Sequence, residues 1–176
     1  MAKAFVLINC EPGWDEHVVS KLRSIETVTS AYGIFGLYDV LAQLESDSEE
    51  NLKNDIIEKI RKLEKILGTT TLMAESEKDT LTEIFVKKQE NLKDENPAIA
   101  YVVIHSKKID KYDILDNLSK IPEVIDGCIV VGHYEIICKV VAPTYNDIED
   151  VVTKDIRKLG DVDSTVTLNV IPHAEL

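Results

Sequence analysis

Five apolar residues in a row, Ala4 to Ile8, open the chain, and the period of the pattern then changes. An unbroken apolar run of this length suits a strand covered on both faces. Val18, Val19, Leu22 and Ile25 then fall on one helical stripe. Two extended segments follow, 29–35 and 39–45, separated by Gly36-Leu37-Tyr38, which reads as a hairpin turn. Ser48 is placed to cap a second helix, with Glu49 and Glu50 in its first turn and Leu52, Ile56, Ile57, Ile60 and Leu63 as its apolar stripe. Residues 69–74 close the segment as a fourth strand.

The same plan returns 96 positions later. Ala4–Ile8 reappears as Ala100–Ile104, and the match runs without a gap to Leu72 and Leu168, with 15 identities in 69 aligned positions. Gly36/Gly132, Tyr38/Tyr134 and the run Ile60-Arg61-Lys62-Leu63 against Ile156-Arg157-Lys158-Leu159 are among them. A unit of about 70 residues is too long for a solenoid repeat and long enough for a small domain. In the second copy Ile114, Leu115, Leu118 and Ile121 line one helix, and Ile148, Val151, Val152, Ile156 and Leu159 line the other. Thr144 caps that last helix, and Gly160 stands where a positive-φ terminator is expected.

The order βαββαβ in each copy is that of a ferredoxin-like domain with helices on one face of an antiparallel sheet. The class is therefore α+β. The boundaries are 1–76 for copy 1, 77–97 for a connector and 98–176 for copy 2. Strands apolar on both faces need cover on both, so the two sheets are expected to pair face to face, as in a dimeric α/β barrel. Leu81, Ile84, Phe85 and Lys88 recur at helical spacing in the connector, which predicts a short amphipathic helix ending before Asp94-Glu95-Asn96-Pro97.

Charge narrows the function. The net charge of −12 divides into −5 for each copy and −2 for the connector. Nucleic-acid binding needs a concentrated cationic surface, and Arg61-Lys62 and Arg157-Lys158 do not make one. No apolar run approaches the roughly 20 residues of a membrane span, and no leader pattern opens the chain. Cys10, Cys128 and Cys138 lack CxxC spacing and read as reduced thiols, so a cytoplasmic protein is expected.

Ala4-Phe5-Val6-Leu7-Ile8-Asn9 followed by Glu11-Pro12-Gly13, the turn Gly36-Leu37-Tyr38-Asp39, and Ile60-Arg61-Lys62-Leu63 leading into Thr69-Thr70-Thr71-Leu72 carry a resemblance. Each copy resembles the effector-binding domain of the Lrp/AsnC regulators. Copy 2 departs from the pattern, with Lys107-Lys108-Ile109 in place of Glu-Pro-Gly and Glu135 in place of Asp39. The family's regulators place a winged helix-turn-helix before this domain, and none is read here. The resemblance implies a stand-alone sensing module for an amino-acid-type effector. It would act through a protein partner rather than DNA, in a homo-oligomer.

The end of strand 1, the strand 2–3 turn and the start of strand 4 share one sheet edge. The candidate ligand residues there are Gly36, Tyr38, Asp39, Thr69 and Thr71 in copy 1, with Gly132, Tyr134 and Glu135 in copy 2. Asp39 suits an α-ammonium, the amides around Gly36 a carboxylate, and the threonines hydroxyl contacts. Gly36 for positive φ, Tyr38 for packing and Asp39 as a turn residue are the structural alternatives. His105, His133 and Glu135 meet at the same edge and suit Cu, Zn or Ni, which makes metal binding the alternative function. Cys128 and Cys138 lie equidistant from His133 and are expected to face each other across the hairpin. His17 and His173 are expected in solvent. No cofactor motif, nucleophile motif or phosphate loop is found, which predicts no enzymatic activity and leaves a pure interaction module as a further alternative. Trp14 and Tyr112 at helix starts are expected to pack locally.

Overall fold

The structure is a computed structural model and describes residues 1–75, 79–93, 96–107 and 109–172, without the side chains of 79 and 80. The expectations for His173, Asp94, Glu95 and Lys108 lie outside the described residues. The chain forms two compact units, Met1–Ala74 and Glu75–Leu176.

Unit 1 contains β1 (Ala2–Cys10), α1 (Asp15–Arg23), β2 (Val28–Phe35), β3 (Val40–Ser46), α2 (Glu49–Asp55) and β4 (Ile66–Ala74). Its strands are all antiparallel in the order β4-β1-β3-β2, so strand 1 is central and pairs with both β3 and β4. Ala4, Val6 and Ile8 point to the helices and join Val18, Val19, Leu22, Leu52, Ile56 and Ile60 in one core. Burying a side chain of this size contributes about 1.5–3 kcal/mol. The other face of the sheet, with Phe5, Leu7, Leu41 and Leu72, is buried as well.

Unit 2 opens with α3 (Asp79–Glu90), the helix expected in the connector. It continues with β5 (Ala98–His105), α4 (Lys111–Ser119), β6 (Val124–Val131), β7 (Ile136–Ala142), α5 (Tyr145–Val151) and β8 (Ser164–Val170). The strand order is β8-β5-β7-β6, the same as in unit 1. Leu81 and Phe85 of α3 belong to the core of this unit, while Ile84 is exposed. The Lys88 ammonium donates to the carbonyls of Ser119, Ile121 and Val124 at 2.5, 2.7 and 2.7 Å. Ser119 is the last residue of α4, whose carbonyl has no helical partner, while Ile121 and Val124 lie in the turn after it and at the start of β6.

The predicted caps form. Ser48 Oγ accepts the Asn51 N–H at 3.1 Å. Thr144 and Asp147 make a reciprocal capping box. Three local expectations need correction. The second helix of each unit ends in a π turn, Ile56–Ile60 and Val152–Ile156, and the wider turn swings Ile57 off the apolar stripe into solvent. Gly160 does not take positive φ; in the corresponding corner of unit 1 it is Lys65 that does, at 75°. Cys128 stands opposite Ile137 and Cys138 opposite Gly127, so the two thiols lie on opposite faces of the sheet. The hairpin register is offset by one from the symmetric pairing, and a one-residue offset reverses side-chain direction.

Candidate functional site

The turn edge of unit 1 is built around Asp39. The turn closes with the Ile34 N–H donating to the Asp39 carbonyl at 2.9 Å, and the Asp39 N–H donates to the Ile8 carbonyl at 2.9 Å. The Asp39 carboxylate then accepts the N–H of Cys10 at 2.9 Å. Asp39 thus fastens the hairpin to the end of strand 1 with one oxygen. Gly36 sits at φ 134° and Gly132 at φ 150°, geometry that favours glycine. Tyr38 is buried.

Unit 2 repeats the device with a longer side chain. Glu135 Oε2 accepts the Ser106 N–H at 3.1 Å, and the Glu135 N–H donates to the Ile104 carbonyl at 3.0 Å. The same carboxylate oxygen lies 3.3 Å from His105 Nδ1. The Tyr134 ring, buried, lies 4.7 Å from that of His105 and 4.9 Å from that of His133. His133 meets His105 edge-on, with centroids 5.5 Å apart. The three candidate metal ligands are therefore neighbours, but the histidines meet through their rings. Among the described residues no three His, Cys, Asp or Glu side chains form a group able to hold a metal ion.

On β4, Thr69 stands opposite Ile8 and Thr71 opposite Val6, on the helix side of the sheet. The Thr71 hydroxyl is buried and has no hydrogen-bond partner among the described residues. Its counterpart strand uses Thr165 differently, accepting the Arg157 guanidinium at 3.0 Å. Burial, then the carboxylates of Asp39, Asp15 and Glu11, push the Cys10 thiol up.

Trp14 is exposed, with Lys65 4.6 Å from its ring centre and His17 edge-on at 5.4 Å, so His17 is in solvent but not without contacts. Tyr112 packs against the unit 2 core, as expected. A polar cavity of about 430 Å³ lies at the opposite end of unit 1, lined by Glu26, Glu45, Asp47, Asn51, Asp55 and Lys59. Sequence reasoning missed its buried carboxylate: Asp55 accepts the Thr27 hydroxyl at 2.7 Å and pairs with Lys59 at 3.2 Å. The only local signal was an acidic residue one step from the apolar stripe of α2.

Residues 3–82 and 99–173 both match the model of the Lrp/AsnC ligand binding domain. The chain belongs to the Lrp/AsnC family. The first family segment runs past copy 1 into the connector, and the second lies within copy 2. Among solved structures, a hypothetical protein from Pyrococcus horikoshii is 36% identical, covering 44% of this chain and 93% of that one, with a TM-score of 0.42. The siroheme decarboxylase NirDL is 10% identical over 97% of this chain and 71% of its own, with a TM-score of 0.69. A mutant chlorite dismutase from Candidatus Nitrospira defluvii is 11% identical over 97% and 91%, with a TM-score of 0.54. No curated protein sequence matches.

These matches overturn the expectation that this Lrp/AsnC-family chain is not an enzyme. Two proteins that share its fold across nearly its whole length are enzymes by name. At such low identity the likeness is one of fold, yet it removes the force of the argument from missing local motifs. Fold by itself does not decide activity.

Proposed function

We propose that the chain is a small-molecule sensing module that takes an amino-acid-type effector at the turn edges of its sheets and passes the signal to a protein partner. Family membership of both copies supports ligand binding. The observation that carries the location is the repeated carboxylate fastening, Asp39 to Cys10 and Glu135 to Ser106, which ties turn and central strand together in each copy. In copy 1 the second Asp39 oxygen is the acceptor for an ammonium, amides near Gly36 receive a carboxylate, and Thr69 and Thr71 supply hydroxyls. In copy 2 Gly132, Tyr134 and Glu135 take the corresponding places. The apolar second faces of the two sheets are proposed to cover each other, and chains to associate further.

The test is a thermal-shift screen of metal-free protein against the standard amino acids and Cu, Zn and Ni ions. A ligand at about 100 times its dissociation constant adds roughly 2.7 kcal/mol. Stabilisation by an amino acid, reduced by Asp39→Asn, supports the reading. A shift with metal alone, removed by His105→Ala or His133→Ala, replaces it with metal binding. No shift with either leaves the interaction module.

The fold matches favour a second reading, catalysis on a small molecule. NirDL has been crystallised with an iron-uroporphyrin III analogue. The test is titration with an iron porphyrin: a displaced and intensified Soret band, saturating at a fixed stoichiometry, supports a tetrapyrrole ligand, and an unchanged spectrum rejects it.

A further inference from the structure

Unit 2 has a cavity of its own at the sheet end opposite its turn edge, where β6 begins and β7 ends beside α5. It measures about 360 Å³. Glu123, Asp147, Asp150 and Asp155 bring four carboxylates to it, and Lys154 one ammonium. The offset of 96 residues maps it onto the cavity of unit 1: Glu123 takes the place of Thr27, Val151 that of Asp55, and Asp155 that of Lys59.

The three exchanges are linked. In unit 1 the buried carboxylate is satisfied from within, since Asp55 accepts the Thr27 hydroxyl at 2.7 Å and pairs with Lys59 at 3.2 Å. In unit 2 the carboxylate has moved from the helix to the approach of β6, and the lysine that answered it has become a second anion. Lys59 and Asp155 occupy the same place in the π turn that ends each helix, Ile56–Ile60 and Val152–Ile156, so one backbone device presents opposite charges in the two copies.

Glu123 is left without an answer. The residue is half-buried, and its Oε2 is buried with no hydrogen-bond partner among the described residues. Lys88 feels the Glu123 charge, yet its ammonium is bonded to three backbone carbonyls. Lys154 reaches Asp150 instead, at 3.4 Å, and Asp147 is held in the capping box with Thr144. A buried charged oxygen without a partner is costly, and a cation from outside removes that cost. The cation is not a bare metal ion, because among the described residues no three acidic, histidine or cysteine side chains are grouped to hold one. Spaced carboxylates with Ala142, Pro143 and Val151 as an apolar wall suit separated ammonium groups joined by methylenes.

We propose that this cavity binds a primary diamine or polyamine. One ammonium answers Glu123 and Asp155 as Lys59 answers Asp55 in unit 1, the methylenes lie on the apolar wall, and a second ammonium meets the carboxylates of α5. An amino acid is disfavoured, because its own carboxylate would enter a cavity of four others. The assignment is therefore independent of the turn-edge effector.

The experiment titrates the full chain with 1,4-diaminobutane and spermidine by calorimetry at about 0.1 M salt, where the Debye length of about 10 Å screens diffuse attraction. Butylamine, with one charge, and Mg ions are the comparison ligands. The variants are Glu123→Gln, Asp155→Lys and, in the cavity of unit 1, Glu26→Gln. Asp155→Lys installs the residue that unit 1 carries there, so the fold has precedent for it. The expected result is one diamine per chain, a fall of at least tenfold in affinity for Glu123→Gln, no detectable binding to Asp155→Lys, and no change for Glu26→Gln. Butylamine is expected to bind at least tenfold more weakly. No binding to the wild type, binding that both unit 2 variants retain, loss confined to Glu26→Gln, or displacement by equimolar Mg ions overturns the proposal.

Discussion

Asp39 accepts the backbone N–H of Cys10 at 2.9 Å, and 96 positions later Glu135 accepts that of Ser106 at 3.1 Å. One fastening thus serves both copies although the side chain differs by a methylene. A hydrogen bond to a charged acceptor contributes about 1.5–3 kcal/mol. Asp39→Ala is expected to destabilise copy 1 by about that amount, and Asp39→Asn by less, because its amide oxygen still accepts. Urea unfolding of the three proteins measures this, and equal midpoints would remove the fastening from the account.

Thr71 offers the opposite sign. Its buried hydroxyl has no partner among the described residues, so its desolvation is uncompensated. Thr71→Val keeps the shape and removes the polar atom, and is expected to stabilise the ligand-free protein by about 1 kcal/mol. If Thr71 serves the proposed effector, the same variant weakens binding. A more stable protein with undiminished affinity would assign the threonine no role in the site.

Lys88 joins α3 to the end of α4 through three carbonyls, and Lys88→Met leaves them without that donor, at a cost of about 1–3 kcal/mol. Burial lowers the Lys88 pKa from its ordinary 10.5, with Glu123 opposing. Between the lowered value and 10.5 the folded protein binds fewer protons than the unfolded chain. Stability therefore rises with pH across that window, and Lys88→Met is expected to flatten the rise. Denaturation midpoints of both proteins through the alkaline range check the sign.

Cys138 is fully buried, and burial chiefly pushes its thiol up to about 12, with Asp126 and Cys128 adding to the shift. The thiolate is the reactive form, so Cys138 is expected to resist a disulfide reagent at mildly alkaline pH until the protein unfolds. As pH rises through 9.0 the unfolded chain loses this proton first, and the contribution of Cys138 to stability declines toward pH 12. Prompt labelling of Cys138 in the folded protein would contradict this burial.

Most of what could be read locally was read correctly, with Gly160 as a terminator and Ile84 in the α3 stripe as exceptions. The strand order, both N-caps and the α3 stripe depend on periods of two and 3.6 residues and on side chains bonding to their own neighbours. The misreadings came where a small geometric change has a large consequence. A π turn moved Ile57 into solvent, and a one-residue register offset separated Cys128 from Cys138. Asp126 stands opposite Lys139 and Lys139 opposite Tyr101, and the two charges break two apolar runs in the sequence, but a lone charge in a strand does not say which residue stands opposite.

By itself the sequence determined that there are two copies, that each is a βαββαβ unit, and that glycine, tyrosine and a carboxylate meet at each turn. Only the tertiary structure decided that the carboxylates fasten the hairpins to the central strands, that Lys88 caps a helix about 30 residues away, and that Asp126, Lys139 and Tyr101 share one row. The reason is physical. Periodicity and capping are fixed by neighbours in the chain, whereas cross-strand partners and buried hydrogen bonds depend on register, which a sheet settles only when distant segments pack.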